Sequence, residues 1–439
     1  IAEYESLPAI HWRDKSVTYR ELVEKIDWWK NYLSRINVVQ GQSVAIVGDH
    51  SPAAISLLLA LLDGSNIAVP VGHPTSSALQ TSVDLAEVST VITLDADDAP
   101  HVTSHESARD NELLASLRAS DEPGIVIFSS GSTGTPKGAV HNAIRFLKKF
   151  EFRTAPMTTI AVPPIDHVAG LDTLFYSLSS GGALVCTDDR SPTTVAKAIE
   201  LHNVELLPAS PTFLNMLIMS GVAAEFDLSS VRIVAYGSEV MPDRTLGELS
   251  RLLPNARLIQ KYGTTEFGSP RTRSNAVGSP MVKIESEGVE TKIVDGILWL
   301  RSESAMMGYL NAPSPFDDAG WLNTEDMVEV EGDFIRILGR RSELINVGGQ
   351  KVHPAEIENV LTQMDNVLDA VVYGEQNPLM GNVVATKVTL SQNESLRDFK
   401  QRLRSFCQGK LDQYKIPVKV EVTLEGNVSP RYKKMRRFH

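Results

Sequence analysis

From residue 18 to about residue 260, short apolar runs alternate with stretches of helical periodicity, and this alternation limits the possible folds more than any other feature of the 439-residue chain. Thr18 and Glu21 form a capping-box pattern, and Leu22, Ile26, Trp29 and Leu33 follow at helical spacing. Gly41 closes that helix. Residues 44–47 then read as a buried strand, 53–62 as a helix and 67–71 as the next strand. Further strands are expected at 125–128, 160–162, 183–186, 204–207, 233–235 and 258–260, with amphipathic stretches such as 195–201 and 214–219 between them. Strand and helix in turn predict βαβ units, hence an α/β fold with mainly parallel sheets. Its chemistry should lie in loops past the C-terminal ends of the strands.

From about residue 285 the texture changes to short strands and turns, as at 296–300 and 332–338, which predicts a small barrel-like β subdomain. Beyond it come a helix near Pro354, strands at 367–373 and 383–390, a helix carrying Leu396, Phe399, Leu403 and Phe406, and a strand at 418–424. These make a small α+β unit of ordinary domain size. The expected division is a large domain over 1–339, a hinge at 340–343 and a mobile domain over 344–439.

With 42% apolar and 22% charged residues the chain can bury a large core. Its longest apolar run, 53–62, is half the ~20 residues of a membrane span, and no signal-peptide pattern opens the chain. Acidic residues exceed basic ones by twelve, 54 against 42, which repels a polyanion and argues against nucleic acid as a partner. The two cysteines, Cys186 and Cys407, have no metal-binding or disulfide spacing. A reducing, cytoplasmic setting is therefore expected.

The most informative segment is Phe128-Ser129-Ser130-Gly131-Ser132-Thr133-Gly134-Thr135-Pro136-Lys137-Gly138, directly after an expected strand. Glycines let backbone N–H groups converge on an anion, hydroxyls donate hydrogen bonds and the lysine supplies a point charge, a composition suited to a polyphosphate. It is not a Walker loop, because Gly138 and not Ser or Thr follows Lys137. A Gly/Ser run alone would read as a linker, but Pro-Lys-Gly directly after an apolar strand does not.

This segment resembles the hydroxyl-rich Ser-Gly-Ser/Thr-Thr-Gly-x-Pro-Lys-Gly signature of the adenylate-forming superfamily of acyl-CoA synthetases, peptide-synthetase adenylation domains and luciferases. The likeness continues in order to the basic C-terminus. Tyr262-Gly263-Thr264-Thr265-Glu266 resembles Tyr-Gly-x-Thr-Glu, which implies that Tyr262 stacks on adenine, Thr265 bonds the α-phosphate and Glu266 holds magnesium. Gly237-Ser238-Glu239 resembles the adenine-side loop. Trp321-Leu322-Asn323-Thr324-Glu325-Asp326 resembles Trp-x-x-Thr-Gly-Asp, which assigns Asp326 to the ribose, with Glu325 where glycine is usual. Gly339-Arg340 resembles a pair whose arginine contacts the nucleotide. Ser342 falls at the hinge, and Gly348-Gly349 in a loop that helps form the thiol tunnel. Ser429-Pro430-Arg431-Tyr432-Lys433-Lys434-Met435-Arg436 resembles Thr-x-x-Gly-Lys-x-x-Arg. That registers Lys433 as the catalytic lysine, with Lys434 the alternative because Tyr432 replaces the usual glycine.

His167, in Pro164-Ile165-Asp166-His167-Val168-Ala169-Gly170, matches the loop between nucleotide and acyl sites. Val168 follows it where amino-acid-activating relatives carry aspartate, so an α-amino acid is not the expected substrate, although Asp166 allows a one-residue shift in register. Ala169, Gly170, Gly237 and Gly263 are small, which suits a flat aryl or extended acyl group. The resemblance implies a ligase that uses ATP and Mg2+ to convert a small carboxylic acid to an acyl-adenylate, then transfers the acyl group to coenzyme A. Two rivals stand beside it: an enzyme loading the phosphopantetheine of an acyl carrier protein, and a degenerate nucleotide-binding protein without catalysis.

Overall fold

The computed structural model describes residues 2–106, 110–129, 136–276, 279–378 and 380–424. Two seven-stranded sheets form the large unit. In the first, the strands Arg257–Gln260, Ile233–Tyr236, Leu206–Ala209, Thr159–Ile160, Leu184–Cys186 and Pro8–Trp12 lie side by side and parallel, and Lys15–Thr18 closes the edge as an antiparallel hairpin partner. In the second, Gly124–Ser129, Ile67–Val71, Ser43–Val47 and Val88–Leu94 are parallel, flanked on each side by antiparallel strands. The alternating segments therefore resolve into two layers, and hairpins that alternation does not announce cover their edges.

The capping box at Thr18 and Glu21 is complete and starts the helix Tyr19–Arg35. The apolar run becomes the helix Pro52–Asp63, in which Ala54, Ile55, Leu57, Leu58 and Leu61 are fully buried. It is apolar on all sides because one continuous core joins it to both sheets and to the helix Val168–Ser179. Among the described residues no helix is long and apolar enough to cross a membrane. Cys186 and Cys407 are buried and unpaired with each other.

The β-rich segment forms one six-stranded antiparallel sheet between Thr272 and Arg340, joined to the second large sheet where Gly308–Tyr309 pairs with Ala139 and Val140. After the single turn Arg341–Glu343 comes the C-terminal unit, a five-stranded sheet with the helices Pro354–Leu361 and Leu396–Cys407. Its core, from Ile345 to Val420, draws on no residue of the large unit.

Candidate active site

The strand Gly124–Ser129 and its antiparallel partner Lys137–Asn142 bring Ser129 opposite Lys137. Ser130, Gly131, Ser132, Thr133 and Gly134 lie outside the described residues. Both ends of the loop are nevertheless fixed. Asn311 donates through Nδ2 to the Pro136 carbonyl at 2.9 Å, and its Oδ1 accepts from the Gly138 N–H at 3.2 Å. A Cβ on Gly138 would come within 2.8 Å of Leu310 Cδ1 and 2.9 Å of Phe128 Cε1, so a side chain there would push both aside. The Lys137 ammonium lies 5.2 Å from the centre of the Tyr309 ring.

Tyr309 also donates its hydroxyl to Glu266 Oε1, and burial first, then the Glu266 charge, pushes the phenol far above its ordinary pKa. The Tyr262-to-Glu266 segment is a tight turn: the Thr264 N–H bonds the Gly268 carbonyl at 3.1 Å, and a Cβ on Gly263 would meet that carbonyl at 2.9 Å. The Thr265 carbonyl accepts from His141 Nε2 at 2.8 Å. A carbonyl can only accept, so Nε2 carries the proton and Nδ1 presents a lone pair, which has no partner among the described residues. Burial lowers the His141 pKa to about 4, which leaves the ring neutral at physiological pH.

Tyr262 donates its hydroxyl to Asp326 Oδ2 at 2.6 Å, and Arg340 Nε lies 3.5 Å from Asp326 Oδ1. The pairing of Leu322–Glu331 with Phe334–Arg340 sets Asp326 directly across from Arg340. Burial raises the pKa of this carboxyl against the opposing pull of Arg340 and Tyr262. Glu325 sits in the left-handed region at φ +59°, the conformation that explains why glycine would be easier there. Its N–H is held by Asn323 Oδ1 at 2.9 Å.

A cavity of about 330 Å³ adjoins this cluster. His167, Val168, Ala169, Gly237, Ser238, Tyr262 and Gly263 are all on its wall. Gly170 is not: a Cβ there would fall 1.8 Å from the Pro164 carbonyl oxygen, so it permits close packing of helix on loop. Nor is Glu239, which bonds the N–H and hydroxyl of Thr212 at the start of the helix Pro211–Met219, facing a small crevice towards the C-terminal unit. His167 caps the helix Val168–Ser179, accepting at Nδ1 from the Ala169 N–H at 3.4 Å. Asp166 is likewise off the wall, with its carboxylate against Gly72.

In the C-terminal unit Ser342 lies in the turn Arg341–Glu343. Gly348 and Gly349 form the tip between Ile345–Val347 and Gln350–Val352 with φ of +56° and +89°, which glycine alone adopts freely. Lys433 and Lys434 lie outside the described residues.

The family model of the AMP-binding enzymes matches residues 1–310, and that of the AMP-binding enzyme C-terminal domain matches residues 356–427. The chain belongs to the AMP-binding enzyme family. A 2-succinylbenzoate–CoA ligase of Bacillus cereus is 28% identical over 94% of this chain and 90% of its own length. A long-chain-fatty-acid–CoA ligase of Mycobacterium tuberculosis is 25% identical over 93% and 89%. Among solved structures, an anthranilate CoA ligase in complex with anthranoyl-AMP superposes with a TM-score of 0.82 at 21% identity, covering 97% of this chain and 92% of the other. The o-succinylbenzoate CoA synthetase of Bacillus subtilis, in complex with its acyl-adenylate intermediate, gives 0.79 at 21%, covering 98% and 94%. At such identity these two structures establish a shared fold.

In this AMP-binding enzyme, sequence reasoning passed over Tyr309, Asn311 and His141, which make the contacts described above from positions without a motif. It also passed over four charged residues of the cavity wall, Lys149, Asp172, Lys261 and Arg271. One signal was available: Asp172, Thr173, Tyr176 and Ser179 form a polar stripe at helical spacing on a mostly apolar helix, and all four line the cavity.

Proposed function

We propose that this chain is an ATP-dependent carboxylic acid–CoA ligase that acts through an acyl-adenylate. One observation carries this reading: the short segment Lys261–Glu266 borders the cavity through Lys261, Tyr262 and Gly263, bonds Asp326 through Tyr262 and bonds Tyr309 through Glu266. An acid in the cavity and a nucleotide at that cluster would meet at Gly263 and Thr265.

In the first half-reaction a carboxylate oxygen attacks the α-phosphorus of ATP, the bond to the bridging oxygen breaks and pyrophosphate leaves. Two anions must approach, so the protein's contribution is alignment and charge compensation. Asp326, held by Tyr262 and Arg340, accepts from the ribose hydroxyls. Tyr262 lies against the adenine and Thr265 donates to the α-phosphate. The loop 129–138 with Lys137 steadies the departing phosphates, and Lys433, or Lys434 one residue on, bridges carboxylate and α-phosphate.

The residues suit magnesium. Glu266 has one oxygen engaged by Tyr309 and the other open among the described residues, which leaves a hard carboxylate oxygen for the ion. Glu266 would hold the ion, whose charge would offset that of the substrate phosphates. The C-terminal unit, with its separate core, then turns about 340–343 and carries Gly348 and Gly349 towards the site. In the second half-reaction the thiol of coenzyme A loses its proton, its sulfur bonds the carbonyl carbon and AMP leaves.

The test is acid-dependent exchange of pyrophosphate into ATP, followed by thioester formation with coenzyme A or with a phosphopantetheinylated carrier protein. The wild type should catalyse exchange with its acid and form the CoA thioester. Glu266→Gln should slow exchange on the order of 10²–10³-fold. ATP binding without exchange for any acid would leave a nucleotide-binding protein and overturn the ligase reading.

A further inference from the structure

The cavity wall carries an uneven set of charges. Lys149, Lys261 and Arg271 face it with a single carboxylate, Asp172. Asp172 forms an ion pair with Lys149, whose ammonium also donates to the Ser269 carbonyl at 3.0 Å. Lys261 Nζ and the Arg271 guanidinium make no hydrogen bond or ion pair with any described residue. Lys261 stands in the wall and Arg271 is exposed at the rim. Much of the remaining lining is apolar, including Phe150, Phe152, Val162, Phe213, Ile233 and Ile259.

These cations belong to the acid side of the site and not to the nucleotide side. The Tyr262 hydroxyl is spent on Asp326, whereas Lys261, the next residue back on the same cavity wall, makes no bond to that cluster. Burial lowers the Lys261 pKa, Asp172 opposes this, and Lys149 and Arg271 add to it. A desolvated ammonium crowded by two further cations is unfavourable unless an anion joins it. The reacting carboxylate does not meet that need, because it must lie on the Gly263 and Thr265 side, against the phosphate.

We infer that the acid substrate carries a second anionic group, held by Lys261 with Arg271, so that the enzyme activates one carboxyl group of a dicarboxylic acid. This deepens the ligase reading and rests on it. An apolar body fits the lining between the two ends, one carboxylate lies at the phosphate and the other at Lys261, and Asp172 keeps Lys149 from taking its place.

The experiment is pyrophosphate exchange without any thiol, which excludes the phosphates of coenzyme A as the anion. It uses acids of matched length with and without a second carboxyl group. The wild type should favour the dicarboxylic member of each pair by about 10–100-fold in kcat/KM, the range of a charge-assisted contact. Lys261→Met should erase that preference through a raised KM for the dicarboxylic member of each pair, and Arg271→Gln should reduce it in part. Equal or better use of monocarboxylic acids, or a Lys261→Met variant that slows both classes alike, would overturn the inference and leave the ligase intact. If Lys261→Met does not fold, the rim variant Arg271→Gln carries the same comparison. Should no acid support exchange, the ligase reading fails separately, and thermal shift with the acids alone decides the cavity. Stabilisation of the wild type by dicarboxylic over monocarboxylic acids supports the anion site; no difference overturns it.

Discussion

Glu325 shows how a single residue can depart from a pattern without abolishing the arrangement around it. Its backbone takes a left-handed conformation that a side chain makes unfavourable, and Asn323 and Arg341, at 2.9 Å and 3.6 Å, hold it there. Replacing it by glycine removes the Cβ contact at that φ but adds entropy to the unfolded chain. Relief exceeds that loss at a left-handed position, so Glu325→Gly should stabilise the protein by about 1 kcal/mol, read as a higher urea midpoint with an unchanged slope. A lower midpoint would mean that the bonds to Glu325 outweigh the strain. Tyr262 and Asp326 could be picked out in the sequence because a motif surrounds each. Tyr309, Asn311 and His141 could not, since a lone tyrosine or histidine on a strand, or an asparagine in a bend just after one, gives no sign of the loop it will meet.

The two units are joined by a small set of polar contacts between elements. Arg244, on the helix Asp243–Leu252, donates through Nη1 to the Thr362 and Val367 carbonyls at 2.7 and 2.9 Å and pairs with Glu248. Asp243 and Asn359 exchange two further bonds, and Asn215 Nδ2 reaches the Leu368 carbonyl at 3.1 Å. Hydrogen bonds from a charged donor contribute about 1.5–3 kcal/mol each, so losing Arg244 should raise the undocked population roughly tenfold or more. Arg340 and Arg341 then offer a direct assay. Limited trypsin digestion should cut at 340–341 faster in Arg244→Ala by a similar factor, with the separate fragments otherwise resistant. Unchanged cleavage would place the holding force elsewhere. This surface was not legible beforehand, because helical periodicity reports which face is apolar and says nothing of which carbonyls a polar residue will cap.

For the molecule as a whole, His141 makes stability depend on acidity. Its folded pKa of about 4 lies below the ordinary imidazole value, so protons bind more readily to the unfolded chain. The contribution is complete above about pH 6.5 and is lost as pH falls towards 4, with about 2 kcal/mol gone by pH 5. His141→Gln retains a donor for Thr265 and should flatten that part of the stability curve measured by urea titration at each pH. An unaltered slope would show that other groups govern it. At this scale the sequence was most readable: the alternation of periods specified parallel layers, and the change of texture near 285 pointed to the β-rich segment, although its sheet begins earlier, at Thr272. What it could not specify was the pairing of two sheets around shared helices, because a run such as 53–62 looks the same against one sheet or between two.

The helix Val168–Ser179 belongs to that shared interior along one side and bounds the cavity along the other. Leu171, Leu174, Phe175 and Leu178 anchor it between the sheets, whereas Asp172, Thr173, Tyr176 and Ser179 line the cavity. Chemical preference and foldedness are thus written on separate stripes of one cylinder. A library confined to those four positions could retune which acids are accepted while the protein continues to assemble, and a library spread over the intervening ones could not.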